Sequence, residues 1–288
     1  MGPVRRRATR NPLPDSLPGG NVRTHPATPT EFEEETAIAA HPTDASNLVA
    51  LWQDGAIHNC WTTDGGQAWQ CQLLDLGSGT TAFDPAIAVD SSGTYFAAMI
   101  SWNNYAVVVA KSTDGGQSFG GFKTLSPAGG DKPYLAIDPG NDNIYVVWEN
   151  SAGFDQAVYF SKSTDLGASY TPRRQISDFS GTNNAAYPAV GPDGEIYVAW
   201  TNFSTRLYFD RSLDEGETWL DPDIIPVGDI VQPRSPLAGN FRNPLMPSIA
   251  VDTTGGPYRG RIYLVWPDQR FGDPDILLTW SDDRGDTW

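Results

Sequence analysis

Apolar and polar residues alternate over short runs along most of this chain, and the runs group into units of four predicted strands. The first run of a unit is short and apolar, the second ends in Trp, the third leads into an Asp-Gly turn, and the fourth follows an aromatic residue. Runs rich in β-branched and aromatic residues, separated by Gly, Pro, Asn and Asp, are typical of antiparallel strands. No long amphipathic helical pattern is present, so the sequence predicts an all-β fold.

Five such units are predicted, and the sequence ends where the last one would begin its fourth strand. The first strands are predicted at 36–40, 85–89, 133–137, 188–190 and 247–251. The second strands are predicted at 48–52, 95–102, 144–148, 196–200 and 262–266. The third strands are predicted at 56–61, 106–111, 157–162, 207–211 and 276–280, and the fourth at 69–74, 119–125, 170–176 and 219–225. Core packing is the preferred explanation for the Trp that ends each second strand, namely Trp52, Trp102, Trp148, Trp200 and Trp266.

The same motif joins the third strand of every unit to the residues that follow it. Its copies read TTDGGQAW, STDGGQSF, STDLGASY, SLDEGETW and SDDRGDTW, and they recur about every 50 residues, which indicates a repeat architecture. Gly allows the positive φ that a tight hairpin needs, and a short Asp side chain accepts hydrogen bonds from turn N–H groups. This chemistry predicts a structural role for the shared aspartates, which are Asp64, Asp114, Asp165, Asp214 and Asp283.

The five motifs resemble the Asp box of the sialidase/neuraminidase-like β-propellers, also called BNR-repeat proteins. The resemblance implies a β-propeller of four-stranded antiparallel blades over residues 21–288, with five blades visible, and the Arg- and Pro-rich residues 1–20 are predicted to be a disordered tail. Complete propellers of this family usually have six blades. Two interpretations therefore stay open: residues 21–25 supply a missing strand and close a five-bladed ring, or the chain is a fragment of a six-bladed protein.

The chain is strongly acidic, with 35 Asp and Glu against 19 Lys and Arg and a formal net charge of −16. No Lys or Arg occurs between Thr24 and Ala110. Nucleic-acid binding by the folded part is not expected, because phosphate contacts need clustered basic residues. No apolar run approaches the roughly 18 residues of a membrane span, and residues 1–20 lack the apolar core of a signal peptide.

Cys60 and Cys71 flank the first Asp-Gly turn and should face each other across its hairpin. A disulfide is favoured over two buried free thiols, and it would suit an exported protein, either secreted or periplasmic. The three histidines are scattered and fit no metal-binding spacing, so no metal or cofactor is expected. The expected partner is a glycan or protein ligand, and the expected state is a monomer.

The resemblance places the family's site where first strands begin and second strands hand over to third strands. A polar residue follows each second-strand Trp by two positions, and either turn formation or a ring of acceptors explains this set: Asp54, Asn104, Asn150, Asn202 and Asp268. The starts of the first strands add Glu35, Asp84, Asp131 and Tyr187. The basic residues nearby are Lys132, Arg206, Arg242 and Arg270.

The stretch VWPDQRFGDPD at 265–275 is similar to a sialidase segment in which Asp-x-Arg follows the second strand. In active sialidases a similar Asp is the acid/base, so the similarity makes Asp268, Arg270 and Asp54 the candidate catalytic residues. An active sialidase also holds the substrate carboxylate with three Arg and uses a Tyr nucleophile with a Glu partner. Here three glutamates, at 33–35, stand where the first Arg is expected, and Tyr187 has no assigned Glu.

Three hypotheses follow from these patterns. The preferred one is a sialidase-like propeller that binds a glycan or another ligand at its mouth without the standard sialidase catalytic set. The second is a retaining glycoside hydrolase of exo-sialidase type, with an Asp acid/base and an Arg-bound carboxylate. The third is a propeller scaffold for protein partners, since the fold alone does not decide the function.

Overall fold

The computed structural model describes residues 34–77, 80–150, 153, 155–178, 181–202, 205–234 and 245–288. The predicted tail at 1–20 and the proposed closing strand at 21–25 lie outside these ranges. Within them the chain forms strands and no helix, and the strands make five antiparallel sheets that follow one another along the sequence. The predicted all-β fold of repeated antiparallel sheets is therefore confirmed.

The first three sheets have four strands each, paired in sequence order. The first sheet contains β1 (Glu34–Ala40), β2 (Leu48–Gln53), β3 (Ile57–Thr62) and β4 (Gln70–Leu73). The second contains β5 (Ala82–Val89), β6 (Tyr95–Ser101), β7 (Ala106–Ser112) and β8 (Gly120–Ser126). The third contains β9 (Gly130–Ile137), β10 (Ile144–Asn150), β11 (Val158–Ser163) and β12 (Arg174–Gln175).

The last two sheets have three strands each within the described ranges. The fourth contains β13 (Asn184–Val190), β14 (Ile196–Thr201) and β15 (Leu207–Ser212), and the fifth contains β16 (Ser248–Val251), β17 (Ile262–Asp268) and β18 (Asp275–Ser281). The predicted first, second and third strands agree with these bounds to within a few residues. The fourth strands are a correction: β12 is shorter than the predicted 170–176, and 219–225 reduces to a single bridge between Phe209 and Ile224.

The innermost strand of each sheet lies beside the innermost strand of the next sheet. These contacts run in the order β1, β5, β9, β13 and β16, so the sheets stand around a common axis like the blades of a propeller. Across the part of the chain that the structure describes, β16 and β1 do not make the extensive contact that joins the other neighbours.

Apolar side chains fill the space between successive sheets. In β10, Val146 and Trp148 face the second sheet, whereas Tyr145 and Val147 face the fourth. This follows from the alternation of side chains along a strand, because a strand buried on both faces needs apolar residues at every position. Burying one side chain of this size contributes about 1.5–3 kcal/mol.

Among the described residues, the first and fifth sheets are each packed on one face only. Ile38 of β1 is 63% exposed and Ile276 of β18 is 70% exposed, and Leu278 and Trp280 are exposed as well. The other face of the fifth sheet is buried against the fourth, where Ile262 is inaccessible to solvent. The described part of the chain therefore has an exposed apolar face at each end of its row of sheets.

One hydrogen-bond pattern recurs in all five Asp-Gly turns. In the third sheet, Asp165 Oδ1 accepts from Ser163 Oγ at 2.8 Å and from Ser169 N at 2.8 Å, and Ser163 Oγ accepts from Gly167 N at 2.9 Å. Equivalent bonds surround the other four aspartates, which are Asp64, Asp114, Asp214 and Asp283. Hydroxyl and backbone donors of this kind lower the pKa of Asp165 to about 2, and the bonds support the predicted structural role.

The Asp-Gly turns of the third and fourth sheets also pack closely against the preceding sheet. A Cβ on Gly167, whose φ is +74°, would lie 2.8 Å from the Phe96 ring of the second sheet. A Cβ on Gly216 would lie 2.6 Å from Phe160 of the third sheet in the same way. Glycine is needed there both for its backbone conformation and for the close approach of the neighbouring sheet.

A disulfide joins Cys60 of β3 to Cys71 of β4, and the two residues stand directly opposite each other in the ladder. The bridge predicted from the position of the two cysteines around the hairpin is therefore present.

Candidate functional site

The register of the sheets puts the Asp-Gly turns at one end of the propeller and most of the candidate residues at the other. In the first sheet Leu48 pairs with Thr62 beside the turn, whereas Gln53 pairs with Glu34 and Ile57. Innermost strands therefore begin, and second strands end, away from the Asp-Gly turns. This end is called the mouth below.

A β-bulge opens the innermost strand of each of the first four sheets at the mouth. The bulges place residues other than glycine at positive φ: Glu35 (52°), Asp84 (52°), Lys132 (44°) and Ala185 (54°). Such a conformation costs of the order of 1–3 kcal/mol, and it is concentrated at sites where a side chain has to be re-aimed.

Three of the bulged residues meet at the axis. Lys132 Nζ lies 2.5 Å from Glu35 Oε1 and 3.1 Å from Asp84 Oδ1. The three residues come from the first, second and third sheets, so the cluster spans two boundaries between sheets. Their side chains are largely buried, which strengthens the ion pairs relative to pairs on the surface.

Burial and neighbouring charge set the protonation of this axial cluster. Burial first, and then Asp84, raise the pKa of Glu35 to about 7, although Lys132 acts in the opposite direction. Burial also disfavours the Lys132 ammonium, but Asp84 and Glu35 outweigh it and hold the pKa of Lys132 above its usual value. Glu35 therefore exchanges its proton near neutral pH while Lys132 stays charged.

The axial cluster lines a cavity of about 750 Å³, within the ~300–1,000 Å³ typical of ligand pockets. Tyr134, Tyr187 and Met246 complete part of its wall. The rings of Tyr134 and Tyr187 lie 4.5 Å apart, and burial raises the pKa of Tyr134 to about 12. The cavity thus combines one ammonium, two carboxyl groups and two phenol rings.

Side chains at the ends of second strands hold the bulges of the following sheets. Gln53 Oε1 accepts from Asp84 N at 2.7 Å, and Glu149 Oε1 accepts from Ala185 N at 2.9 Å. Glu149 is buried, and this burial raises its pKa well above the usual value despite the backbone donors. Gln53 and Glu149 position the mouth residues of the next sheet by satisfying the bulged N–H group.

Phe83, the residue before Asp84 in β5, packs with two aromatic side chains that reach the surface. The Phe83 ring is 4.6 Å from Trp102 and 5.7 Å from Tyr105, and Trp102 is 48% exposed. This corrects the core-packing prediction for Trp102, whereas the four other second-strand Trp residues are buried, namely Trp52, Trp148, Trp200 and Trp266. Those four stand four residues after the start of their strand; Met99 fills that place in β6, and Trp102 comes after the strand has ended.

Asp268 and Arg270 form a local ion pair. Arg270 donates to Asp268 Oδ2 through Nη2 at 2.6 Å and through Nε at 3.0 Å, and Trp266 Nε1 donates to the same oxygen at 3.0 Å. Burial acts to raise the pKa of Asp268, but the Arg270 and Trp266 hydrogen bonds outweigh it and hold the pKa below its usual value. Asp268 is therefore a poor proton donor at neutral pH.

Three of the predicted acceptors make bonds within their own loops. Asp54 Oδ1 lies 2.9 Å from His58 Nε2, and Asn150 Nδ2 donates to Asp155 Oδ1 at 2.8 Å. Asn202 Oδ1 accepts from two backbone N–H groups of its own turn. Turn formation, one of the two explanations offered by the sequence, accounts for these contacts.

The other predicted ligand-binding residues are more dispersed. Asn104 has a φ of 64° in the loop after β6, and Asp131 stands opposite Glu149 in the ladder. Arg206 is exposed, with its Nε 3.6 Å from Asp229. Arg242 lies outside the described residues. Of the predicted set, the structure brings Glu35, Asp84, Lys132 and Tyr187 to one cavity.

Sequence reasoning overlooked Tyr134 and Glu149, although both had a signal. Tyr134 stands two residues after its bulged residue, as Tyr187 does after Ala185. Glu149 follows its Trp directly, as Gln53 does in the first sheet. Aligning the five units and comparing residues at equivalent positions would have identified both.

No protein-family model and no curated protein sequence matches this chain. Solved structures do match its fold. The match with the NanB sialidase of Streptococcus pneumoniae (11% identity, TM-score 0.61) covers 87% of this chain and 58% of the sialidase chain. The match with the GH93 α-L-arabinofuranosidase of Fusarium graminearum (13% identity, TM-score 0.60) covers 90% of this chain and 84% of the other. The match with a Dyadobacter fermentans protein of unknown function (11% identity, TM-score 0.55) covers 87% of this chain and 94% of the other.

The chain thus has a β-propeller fold similar to that of the sialidase and arabinofuranosidase structures. The chain spans a little over half the length of the NanB sialidase it matches. The described residues include no helix with the length and apolar character to cross a membrane.

Proposed function

We propose that this chain is an Asp-box propeller of the sialidase superfamily that binds a glycan at its mouth. The observation that carries the proposal is the Glu35–Lys132–Asp84 cluster, which three successive sheets build at the wall of an axial cavity. Hydroxyl groups of a saccharide can both donate to carboxylates and accept from an ammonium, so they match this mixed set of groups.

The charge of the cavity favours a neutral or amino-bearing saccharide over a sialic acid. Lys132 is the sole cation among the described lining residues, and two carboxyl groups already pair with it. Recognition of a substrate carboxylate calls for guanidinium groups that are free to bind in a bidentate manner. Arg270 is held by Asp268, and Arg206 lies at an exposed position beside Asp229.

The exposed aromatic side chains supply a second part of the binding surface. Trp102 and Tyr105 are partly open to solvent and pack on Phe83, the residue before Asp84, and their amphipathic rings give an apolar surface with a polar edge. A sugar ring could pack on them while its hydroxyl groups reach the axial cluster.

The test is a glycan-array screen followed by calorimetric titration of any hit. We expect Trp102→Ala and Lys132→Met each to weaken binding by at least about tenfold, the equivalent of ~1.4 kcal/mol. Trp280→Ala is the matched control, because Trp280 is 49% exposed but lies on β18 in the fifth sheet. Equal losses for Trp102→Ala and Trp280→Ala would contradict a mouth site, and a partner found only by protein pull-down would favour the scaffold hypothesis.

Glycoside hydrolysis is the second candidate, and the pKa of Glu35 favours it. A carboxyl group that titrates near 7 suits a general acid. Glu35 Oε1 and Asp84 Oδ1 lie 2.5 and 3.1 Å from the same nitrogen. Glu35 also forms a side-chain hydrogen bond with Asp84, so the two carboxyl groups lie closer together than the ~5–5.5 Å of retaining enzymes and the ~6.5–9.5 Å of inverting ones, and Glu35 alone is the candidate acid.

Release of a fluorophore from a sialoside and from an α-L-arabinofuranoside would test this candidate. Loss of activity in Glu35→Gln would assign the acid to the axial cluster, whereas loss in Asp268→Asn alone would assign it to the residue predicted from the sialidase resemblance. No release from either substrate by the unsubstituted protein would leave the binding proposal in place without hydrolysis. Export, to the cell exterior or the periplasm, is proposed on the disulfide between Cys60 and Cys71.

A further inference from the structure

At one position of the third strand, the fourth sheet has a different type of residue from the other four sheets. Four residues before the Asp of each Asp-Gly turn, the other sheets carry small uncharged residues, which are Cys60, Ala110, Ser161 and Thr279. The fourth sheet carries Asp210 there, and its side chain is 0% exposed. A buried acid at a place where the repeat uses small neutral residues breaks the local rule, and such departures mark functional positions.

A second buried aspartate stands opposite the first. Phe209 and Ile224 exchange two backbone hydrogen bonds of 2.9 Å, and this makes their neighbours Asp210 and Asp223 a directly facing pair without mutual backbone bonds. Facing side chains of this type lie on the same side of the sheet with Cα atoms about 4.5 Å apart. Two carboxyl groups therefore share one rung of the ladder inside the protein.

A third aspartate joins the pair from the end of the third sheet. Asp178 N donates to Asp223 Oδ2 at 3.0 Å, and Asp223 N donates to Asp178 Oδ2 at 2.7 Å. Asp178 is exposed, so the group reaches solvent at the boundary between the third and fourth sheets.

Two buried oxygens in this group lack a hydrogen-bond donor in the described structure, Asp210 Oδ2 and Asp223 Oδ1. Among the described residues, no Lys, Arg or His forms an ion pair with Asp178, Asp210 or Asp223. Facing carboxylates without a countercharge repel each other, and burial makes each unmade bond more costly.

We propose that Asp210 and Asp223, with Asp178 at their solvent edge, bind one hard divalent cation, for which Ca²⁺ is the best match. Ca²⁺ prefers carboxylate and water oxygens and accepts irregular shells of six to eight ligands. The described residues hold no group of three or more acidic, His or Cys side chains already spaced for a metal. The two carboxylates would therefore supply part of the shell, with water and backbone oxygens supplying the rest.

The cation would do in the fourth sheet what the disulfide does in the first. Cys60 and Asp210 stand at equivalent positions, and each faces its partner directly across the third and fourth strands. The segment at 219–225 pairs with β15 through one bridge only, so a cation between Asp210 and Asp223 would fasten it to the sheet.

The test is titration of the metal-free protein with CaCl₂, read by calorimetry and by the melting temperature. We expect one site per chain and a rise of several degrees when CaCl₂ exceeds the Kd about a hundredfold. Asp210→Asn and Asp223→Asn should each weaken binding by at least about tenfold, because they remove a charged ligand. In the presence of a chelator, Asp210→Asn should melt no lower than the unsubstituted protein, because it relieves repulsion.

Asp229→Asn is the matched control, because Asp229 is an exposed acid of the same acidic chain. It should bind CaCl₂ as the unsubstituted protein does. No response of the unsubstituted protein up to millimolar CaCl₂, an undiminished response in both Asn variants, or an equal loss in Asp229→Asn would each overturn the proposal.

Discussion

Glu35 has a carboxyl group at the mouth whose ionisation depends on the fold. Burial and the neighbouring Asp84 favour its neutral form, and Lys132, 2.5 Å away, favours its charged form. The result is a residue whose charge changes near the pH at which most proteins work, in contact with a lysine that keeps its charge. Any ligand in the cavity therefore meets a site whose net charge depends on pH.

Glu35→Gln should make the free energy of unfolding less dependent on pH. The pKa of Glu35 is raised from 4.5 to about 7, so folding favours the protonated form. That stabilisation is complete below pH 4.5 and is lost as the pH rises to about 7. Urea denaturation across this range should show a smaller decline for Glu35→Gln than for the unsubstituted protein, with Glu217→Gln, an exposed acid, as the control. Identical declines in all three would contradict the assignment.

Glu149→Gln should preserve stability at neutral pH, whereas Glu149→Leu should not. A glutamine keeps the acceptor for Ala185 N and removes a buried carboxyl group. In the first sheet a glutamine, Gln53, already accepts the equivalent hydrogen bond from Asp84 N. A leucine leaves the Ala185 N–H without its acceptor, which costs about 1–3 kcal/mol. The free energy of unfolding from denaturant titration is the measurement, and equal losses in both variants would show that the acceptor does not matter.

Among the elements of the fold, the Asp-Gly turns are the most uniform. Two consecutive residues in each turn have positive φ, and in the third sheet they are Leu166 (55°) and Gly167 (74°). In the third sheet the second position, Gly167, also lies against Phe96 of the previous sheet. The two positions should therefore respond differently to the same kind of substitution.

Gly167→Ala and Leu166→Gly form a matched pair for this element. We expect Gly167→Ala to lower the free energy of unfolding by more than about 1–3 kcal/mol, because it adds both backbone strain and a contact with Phe96. Leu166→Gly should be neutral or stabilising by up to about 1 kcal/mol, since it relieves a left-handed leucine. Denaturant titration of both variants checks this, and a destabilising Leu166→Gly would contradict the strain argument.

The strands differ in how far the sequence predicts them. The first, second and third strands can be predicted from local sequence. Their residues are buried between sheets, and the apolar residues along each strand reflect that burial. The fourth strands lie at the outer edge, where β12 is exposed and little apolar burial holds the backbone in a ladder. Tyr170, the aromatic residue that suggested a strand at 170–176, packs against the core, whereas only Arg174 and Gln175 of the following backbone pair with β11.

At the scale of the whole molecule, the site is only partly encoded by local sequence. Glu35 and Asp84 were identifiable as starts of inner strands, and Lys132 as a basic residue near them. Their meeting depends on the order of the sheets around the axis and on bulges that turn each side chain, and no single unit records either. The prediction that Trp102 lies in the core was wrong because it relied on the residue type, Trp, and not on the distance from the start of the strand.

The fifth sheet should tolerate truncation on one face and not on the other. Ile276 is exposed on β18, whereas Ile262 of β17 is buried against the fourth sheet. Ile262→Ala should lower the free energy of unfolding by about 2–5 kcal/mol, and Ile276→Ala should stay within about 0.5 kcal/mol. Denaturant titration distinguishes the two, and a large loss in Ile276→Ala would mean that this face is covered in solution.

At the mouth, one N–H group of the second, third and fourth sheets each donates a hydrogen bond to the sheet before it. Gln53 Oε1 accepts from Asp84 N, Tyr105 O accepts from Gly130 N, and Glu149 Oε1 accepts from Ala185 N, so in these three bonds the acceptor belongs to the earlier sheet. As the chain leaves the ribosome, each finished blade already presents the template on which its successor docks. The first three boundaries between blades can thus form in order from the amino-terminal side as the chain is made.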